Sequence, residues 1–225
     1  LRLGVRTDTA DAEGQVLETR PVRVTREQVE AVLARFRGDI QQVPPMHSAL
    51  KRDGRPLYEY ARKGIELERV PRPVTIYELV LCEFDGDRVR FDVDCSKGTY
   101  VRTLAQDIGE ALGCGAHLTA LRRTRIGGLS LEDAVTLESL EALPPESRAT
   151  LLRPADALLT SLPRLELDEA AMQRFSHGQA VRAGHGQPAG SWRVDAASGR
   201  FLGLGRSVAD EFVAPVRLVA ATVEK

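Results

Sequence analysis

Long apolar runs are missing from this 225-residue sequence. Although 43% of its residues are apolar, no stretch approaches the roughly 18 consecutive apolar positions that a membrane-spanning helix needs. The opening Leu1-Arg2-Leu3-Gly4 has neither the apolar core nor the cleavage site of a secretory leader. Cysteine is scarce: Cys82, Cys95 and Cys114 are odd in number and scattered, which argues against a disulfide framework and fits a reducing compartment, so the expected location is the cytoplasm. The sequence also lacks a Gly-rich phosphate loop, a serine nucleophile elbow and a dinucleotide fingerprint. Cys114-Gly115-Ala116-His117 offers two metal-type side chains but no second pair at matching spacing, so a turn with a buried thiol is expected there and no metal. Internal repeats and low-complexity tracts are absent.

A basic excess is lacking too. The net charge is -1 and the pI near 6.5, whereas a phosphate-binding protein usually carries a basic footprint. The average hides a segregation along the chain. From His47 to Pro73 seven cations face four acids, and from Lys97 to Arg125 five face two, while Ser130 to Ala170 carries nine acids against three arginines. Two basic stretches therefore stand beside one acidic stretch, a pattern that RNA binding or a merely solvated patchy surface would both produce.

What is present suffices for one good core and a small second module. Leu1 to Arg6 alternate as a half-buried strand does, so the chain is expected to start inside a structural element, with a preceding segment absent. A polar turn from Thr7 to Gly14 leads to a short strand around Val16-Leu17-Glu18. Thr25 and Gln28 have capping-box spacing ahead of an apolar face of Val29, Val32, Leu33 and Phe36, which predicts a helix ending before Gly38. A shorter helix is expected over Leu57 to Lys63, stopped by Gly64. Val74 to Leu81 and Val89 to Asp94 read as a hairpin about Asp85-Gly86-Asp87. A third helix over Val101 to Leu112 ends at Gly113, and His117 to Ile126 suits another strand. A boundary is expected near Leu159 to Pro163, after which a helix (Asp168 to Phe175), a Gly-rich turn region and strands around Trp192, Phe201 to Leu204 and Val216 to Val219 make a small β module. His177 and His185 are expected on its surface.

Two clusters could carry chemistry. Cys95-Ser96-Lys97-Gly98-Thr99-Tyr100-Val101-Arg102-Thr103 stands where a strand meets a helix, a junction whose backbone N–H groups and dipole favour acids. Lys97 and Arg102 sit there instead, which requires a compensating anion: a carboxylate from elsewhere or a phosphate. An ion pair of Arg102 that only orders the fold satisfies the same requirement, and Tyr100 can be a base-stacking ring or plain core. The second cluster runs from Pro44-Pro45-Met46-His47-Ser48 through Lys51, Arg55, Tyr58, Arg62 and Lys63. It interleaves cations, aromatics and turns, as a lobe gripping folded RNA does, and as a solvated excursion also can.

These residues resemble those of bacterial TruB-type synthases, which make pseudouridine at position 55 in the T-loop of tRNA. The likeness is carried in order by Arg6-Thr7-Asp8-Thr9-Ala10-Asp11 with Gly14; by Phe36-Arg37-Gly38, Pro44-Pro45 and Ser48-Ala49-Leu50-Lys51; by Leu57 to Gly64; and by Cys95 to Thr103 continuing to Gly113-Cys114-Gly115-Ala116-His117-Leu118 and Leu121-Arg122-Arg123. It implies an α+β fold: a pseudouridine synthase mixed or antiparallel sheet with flanking helices over 1–160, incomplete at its start, an RNA-binding thumb insertion at about 44–73, and a PUA-like RNA-binding module over 161–225. It also implies a reaction without a cofactor on a flipped uridine of the tRNA T-arm, performed by a monomer with no obligate protein partner. By the same resemblance Tyr100 stacks on the uracil, Arg102 pairs with the catalytic carboxylate and Leu121 walls the pocket. Lys51, Arg55, Tyr58, Arg62, Lys63, Lys97, Arg122 and Arg123 touch the RNA.

The family's nucleophilic aspartate lies in a Leu-Asp-Pro motif, and neither that string nor Ala-Thr-Gly occurs here. Asp8, Asp11 and Asp107 match other family positions, so the resemblance names no nucleophile within the chain. A tRNA-binding or tRNA-folding protein without catalysis is the alternative from another class, and a guide-RNA-directed relative is a third.

Overall fold

The computed structural model describes residues 1–184, 189–209 and 211–219. The chain divides into two compact units, Leu1–Arg122 and Arg123–Lys225.

The first unit is organised by a five-stranded sheet that the chain enters at β1 (Arg2–Leu3) and leaves at once. Gly4 makes the departure: its φ is +82°, and a Cβ there would come within 2.6 Å of Val22 and 2.8 Å of the Arg20 carbonyl. The chain continues as a separate hairpin, β2 (Val5–Thr7) and β3 (Val16–Thr19), whose tip carries Asp8 to Gly14. Helix α1 (Arg26–Arg35) follows. Its start is fixed locally, because the Thr25 hydroxyl accepts the Gln28 N–H and the Gln28 side chain accepts the Thr25 N–H at 2.9 Å. The capping box and the apolar face both appear where the spacing predicts them.

Strand β4 (Gly38–Gln42) runs into the 44–73 insertion, which holds the small hairpin β5 (Lys51–Arg52) and β6 (Arg55–Pro56) and helix α2 (Leu57–Ala61). Positive φ at both Asp53 and Gly54 gives that hairpin the tight turn an Asp-Gly pair favours. The chain returns through β7 (Arg72–Asp85) and β8 (Arg88–Cys95), then α3 (Val101–Ala111) and β9 (Ala116–His117). The sheet order is β4-β7-β8-β1-β9 with every neighbouring pair antiparallel. Along β7 the buried positions run Val74, Ile76 and then Leu79, because a bulge between Ile76 and Glu78 resets the alternation and turns Tyr77 outward, 64% exposed. Leu3, Ile76, Leu79 and Val89 from the sheet pack against Val29 and Leu33 of α1 and Leu104 and Ile108 of α3. Helix α3 lies so close to β9 that a Cβ on Gly109 would meet the Ala116 nitrogen at 2.2 Å.

The single strand expected over His117 to Ile126 is corrected: β9 ends at His117, Leu118 makes one isolated parallel bridge to Asp11, and the next strand comes only in the second unit, at β10 (Arg125–Ile126) with β11 (Leu129–Ser130). Residues 119–126 are exposed on all sides, so no buried face holds them to a strand period. The short helices α4 (Leu137–Ala142) and α5 (Pro145–Arg148) occupy the acidic stretch. Then come β12 (Arg164–Leu167), α6 (Glu169–Ser176), β13 (Val181–Arg182), β14 (Ser191–Ala196), β15 (Phe201–Ala209) and β16 (Phe212–Leu218). These strands form a sheet of order β12-β14-β15-β16-β13, antiparallel except for β12 with β14. Its core holds Leu167, Phe175, Val181, Trp192, Val194, Leu202 and Val213, with the Trp192 indole donating to Ser207 at 2.9 Å. Asp195, fully buried, is paired with Arg164 and Arg193, and Arg193 reaches Asp156. His177 ends α6 in solvent; the expectation for His185 falls outside the described residues.

Candidate active site

The site is built where α3 begins. Tyr100 occupies the N-cap position in extended backbone (φ -97°, ψ 103°) and makes no side-chain cap, and no acid stands in the first turn. The anion demanded by Arg102 comes from the tip of the β2–β3 hairpin. Arg102 Nη1 donates to Asp11 Oδ2 at 2.8 Å, and Nη2 donates to the His47 carbonyl at 2.8 Å. One guanidinium thus joins three segments far apart in sequence: the hairpin tip, the start of the 44–73 insertion and α3.

Asp11 is itself held from several sides. The Thr9 hydroxyl donates to Oδ1 at 2.6 Å, the Glu13 N–H donates to the same oxygen at 3.1 Å, and the Thr7 hydroxyl donates to the Asp11 carbonyl at 2.7 Å. Burial pushes its carboxyl up, but the bonds from Thr9, Arg102 and Glu13 outweigh that, so Asp11 ionises below the ordinary aspartate range. The hairpin is also tied to α3 by a ring of alternating charges. Arg6 contacts Glu18 at 3.1 Å and Glu110 at 2.8 Å, while Arg20 contacts Glu18 at 2.7 Å and Glu110 at 3.0 Å.

Tyr100 is fixed through its backbone. Gln42, 2% exposed at the end of β4, accepts the Tyr100 N–H on Oε1 at 2.8 Å and donates from Nε2 to the Tyr100 carbonyl at 3.2 Å. That carbonyl also receives the Leu104 N–H at 3.0 Å.

The other expected site residues are distributed more widely. Lys97 is exposed in the turn before Tyr100. Lys51 and Arg55 are exposed on the β5–β6 hairpin, and Arg62 lies 5.2 Å from the ring centroid of Tyr58 with Lys63 exposed beside it. The insertion is closed at its base by Arg69 donating to the Pro44 carbonyl and Arg52 to the Glu68 carbonyl. Leu121, 61% exposed, follows Leu118, whose N–H bonds to the Ala10 carbonyl next to Asp11. Arg122 and Arg123 are exposed. Among the described residues no group of three or more His, Cys, Asp or Glu side chains could hold a metal. His117 instead has Nδ1 2.9 Å from the Val5 carbonyl, and Cys114 is a buried thiol pushed up by burial.

Sequence reasoning missed two members of this site. Asp11 reads as one more turn residue in a polar loop, and only the unmet charge of Arg102 signalled that an anion had to arrive. Gln42 carries no signal at all, since a lone glutamine at a strand end is unremarkable.

Three family models cover nearly the whole chain: TruB family pseudouridylate synthase (N terminal domain) over residues 1–101, tRNA pseudouridylate synthase B C-terminal domain over 102–160, and Pseudouridine synthase II TruB, C-terminal, over 163–219. A tRNA pseudouridine synthase B of Aromatoleum aromaticum is 56% identical over 220 residues, spanning 98% of this chain and 71% of that protein. The chain belongs to the TruB family. Another TruB relative, from Chromobacterium violaceum, is 54% identical across 98% of this chain and 72% of its own length, and one from Ralstonia pickettii is 60% identical across 80% and 58%. Among solved structures, a chain of a Cbf5-Nop10-Gar1 complex superposes with a TM-score of 0.67 at 24% identity, over 89% of this chain and 63% of that one. A chain of an H/ACA RNP bound to a substrate RNA containing 2′-deoxyuridine gives 0.63 at 22%. At that identity the likeness shows the fold: the TruB chain has a pseudouridine synthase α+β fold with a β-rich C-terminal module. No helix among the described residues is long and apolar enough to cross a membrane.

Proposed function

We propose that this TruB chain carries the uridine pocket and the RNA-gripping surfaces of a tRNA pseudouridine synthase that isomerises uridine 55 in the T-loop. Relatives named tRNA pseudouridine synthase B at 53–60% identity support the reaction class. The observation that carries the reading is the placement of Arg102, an arginine at the start of a helix, anchored by Asp11 and the His47 carbonyl beside Tyr100.

In this isomerisation the N1–C1′ bond of uridine breaks, the uracil turns, and a C5–C1′ bond forms. The hydrogen on C5 leaves to solvent and N1 gains one, so nothing is oxidised and no cofactor is required. Tyr100 stacks on the extruded uracil, and Leu121, an apolar side chain left largely open, walls the pocket. Arg102 uses two of its five N–H groups on Asp11 and His47, which leaves donors for a further carboxylate at the sugar. None of the acids around the site is proposed as the attacking group: Asp11 is committed to Arg102, Thr9 and Glu13, and Asp8 accepts the Gln15 N–H.

Lys51, Arg55, Tyr58, Arg62 and Lys63 of the insertion, with Lys97, Arg122 and Arg123, contact the T-arm through phosphates and stacked bases. The 161–225 module is a further RNA-binding surface. The enzyme works as a monomer in the cytoplasm, without an obligate protein partner. Tritium release from tRNA labelled at C5 of uridine tests the reading. Release that depends on a uridine at position 55 is expected, and its absence with the protein as its gene encodes it overturns the proposal. Equal affinity for folded tRNA and unstructured RNA would count against both this reading and the non-catalytic alternative.

A further inference from the structure

Gln42 is a buried amide whose oxygen and nitrogen both bond to the backbone of one residue. Only one orientation of its side chain satisfies both contacts, with the carbonyl oxygen toward the Tyr100 N–H and the nitrogen toward the Tyr100 carbonyl. The pair imitates the two bonds a neighbouring strand would make, yet Tyr100 lies in no strand: it follows the Ser96–Thr99 turn and caps α3. Without Gln42, that N–H and one acceptor position of that carbonyl would lose their partners. The backbone angles that aim the Tyr100 ring would then rest on the Leu104 bond and the turn alone.

The origin of the clamp matters as well. Gln42 is the last residue of β4, where the chain leaves the sheet for the 44–73 insertion, and its own backbone pairs with Arg72, where the chain returns. Its side chain is buried and its backbone is paired into the sheet at the edge strand β4, so it can hold Tyr100 against the sheet and not against the insertion's RNA-facing surface.

Resting on the reading of Tyr100 as the uracil-stacking residue, we propose that Gln42 is a positioning residue for the isomerisation, acting through the backbone of Tyr100 to aim its ring at the flipped base. It touches no reacting atom. Its removal changes the rate on bound tRNA and leaves tRNA affinity in place, because the gripping residues lie elsewhere.

The test uses Gln42→Met, which keeps the length and bulk of the side chain and loses both bonds. Single-turnover tritium release at saturating tRNA is expected to fall roughly ten- to a hundredfold, the cost of misplacing a group at a reacting centre, with tRNA affinity within about threefold of the unaltered protein. A second readout needs no activity. With 3-fluorotyrosine incorporated and its resonances assigned by tyrosine-to-phenylalanine variants, Gln42→Met should shift or broaden the Tyr100 fluorine signal and spare those of Tyr58, Tyr60 and Tyr77. If the methionine variant does not fold, Gln42→Glu, which retains the bond from the Tyr100 N–H, is read the same way. An unmoved Tyr100 signal, or an undiminished single-turnover rate, overturns the proposal. An unaltered protein that isomerises no uridine instead overturns the functional reading on which the catalytic half rests, while the fluorine signal still decides the clamp.

Discussion

Arg102 and Asp11, 91 positions apart in the chain, meet at 2.8 Å across the start of α3. A charged donor facing a charged acceptor, both partly shielded from water, makes a stronger bond than a surface pair does, and it sets the angle at which the guanidinium faces the site.

Changing Arg102 to Ala is expected to lower tritium release at least a hundredfold with a smaller loss of tRNA binding, which parallel single-turnover and gel-shift measurements check. Asp11→Asn keeps the shape of the side chain and weakens the anchor. It should cut the single-turnover rate roughly tenfold and cost about 1 kcal/mol of stability, a modest figure because both partners retain some contact with water.

Acid should release this anchor in a defined direction. The folded-state pKa of Asp11 lies below its unfolded value, so its contribution is fully present above the ordinary aspartate range and is lost as pH falls through the depressed value. Thermal unfolding followed from pH 7 to pH 3 should show the gap between the unaltered protein and Asp11→Asn closing at the acid end. A gap of constant size would contradict the ion pair.

Asp107 is expected to behave oppositely. Burial, and then the neighbouring Glu110, push its carboxyl up to about 6. The unfolded chain releases this proton near pH 4 and the folded chain only near 6, so the group draws stability down as pH rises between them. Asp107→Asn should therefore raise the unfolding free energy at pH 8 by an amount on the order of 1 kcal/mol, seen as a higher melting temperature, and the gain should vanish as pH approaches 4.

The insertion predicts a salt signature. If Lys51, Arg55, Arg62 and Lys63 each neutralise a phosphate, every Ala substitution should flatten the dependence of log affinity on log salt by about 0.7 to 0.9. Affinity should fall for all tRNAs alike, with little change in the single-turnover rate once tRNA is saturating. An unchanged slope would place the RNA elsewhere.

Legibility followed the range of each interaction. The α1 capping box spans Thr25 to Gln28, and both of its bonds could be read from spacing. The β7–β8 hairpin announced itself by alternation around Asp85-Gly86-Asp87, although the bulge at Tyr77 breaks the period and could not be seen in advance. Strand β12 went unread because four residues after a proline give little pattern and its parallel partner β14 lies 29 positions on, from Arg164 to Arg193. At the site, the charge of Arg102 at a helix N-terminus revealed that an anion was needed without revealing which one. Resemblance pointed to a carboxylate of the reaction, and Asp11 emerged only when the hairpin was seen to fold back onto α3.

The ring of Arg6, Glu18, Arg20 and Glu110 gives that fold-back a dynamic meaning. Arg102 and Glu110 are eight residues apart on α3, about 12 Å along its axis, so the hairpin is bolted to the helix at two separated points. Loosening one bolt leaves the other closed. The amides of β2, β3 and α3 should therefore open to solvent as a single cooperative unit in hydrogen-exchange measurements, well above the fraying expected of a two-strand ribbon on its own.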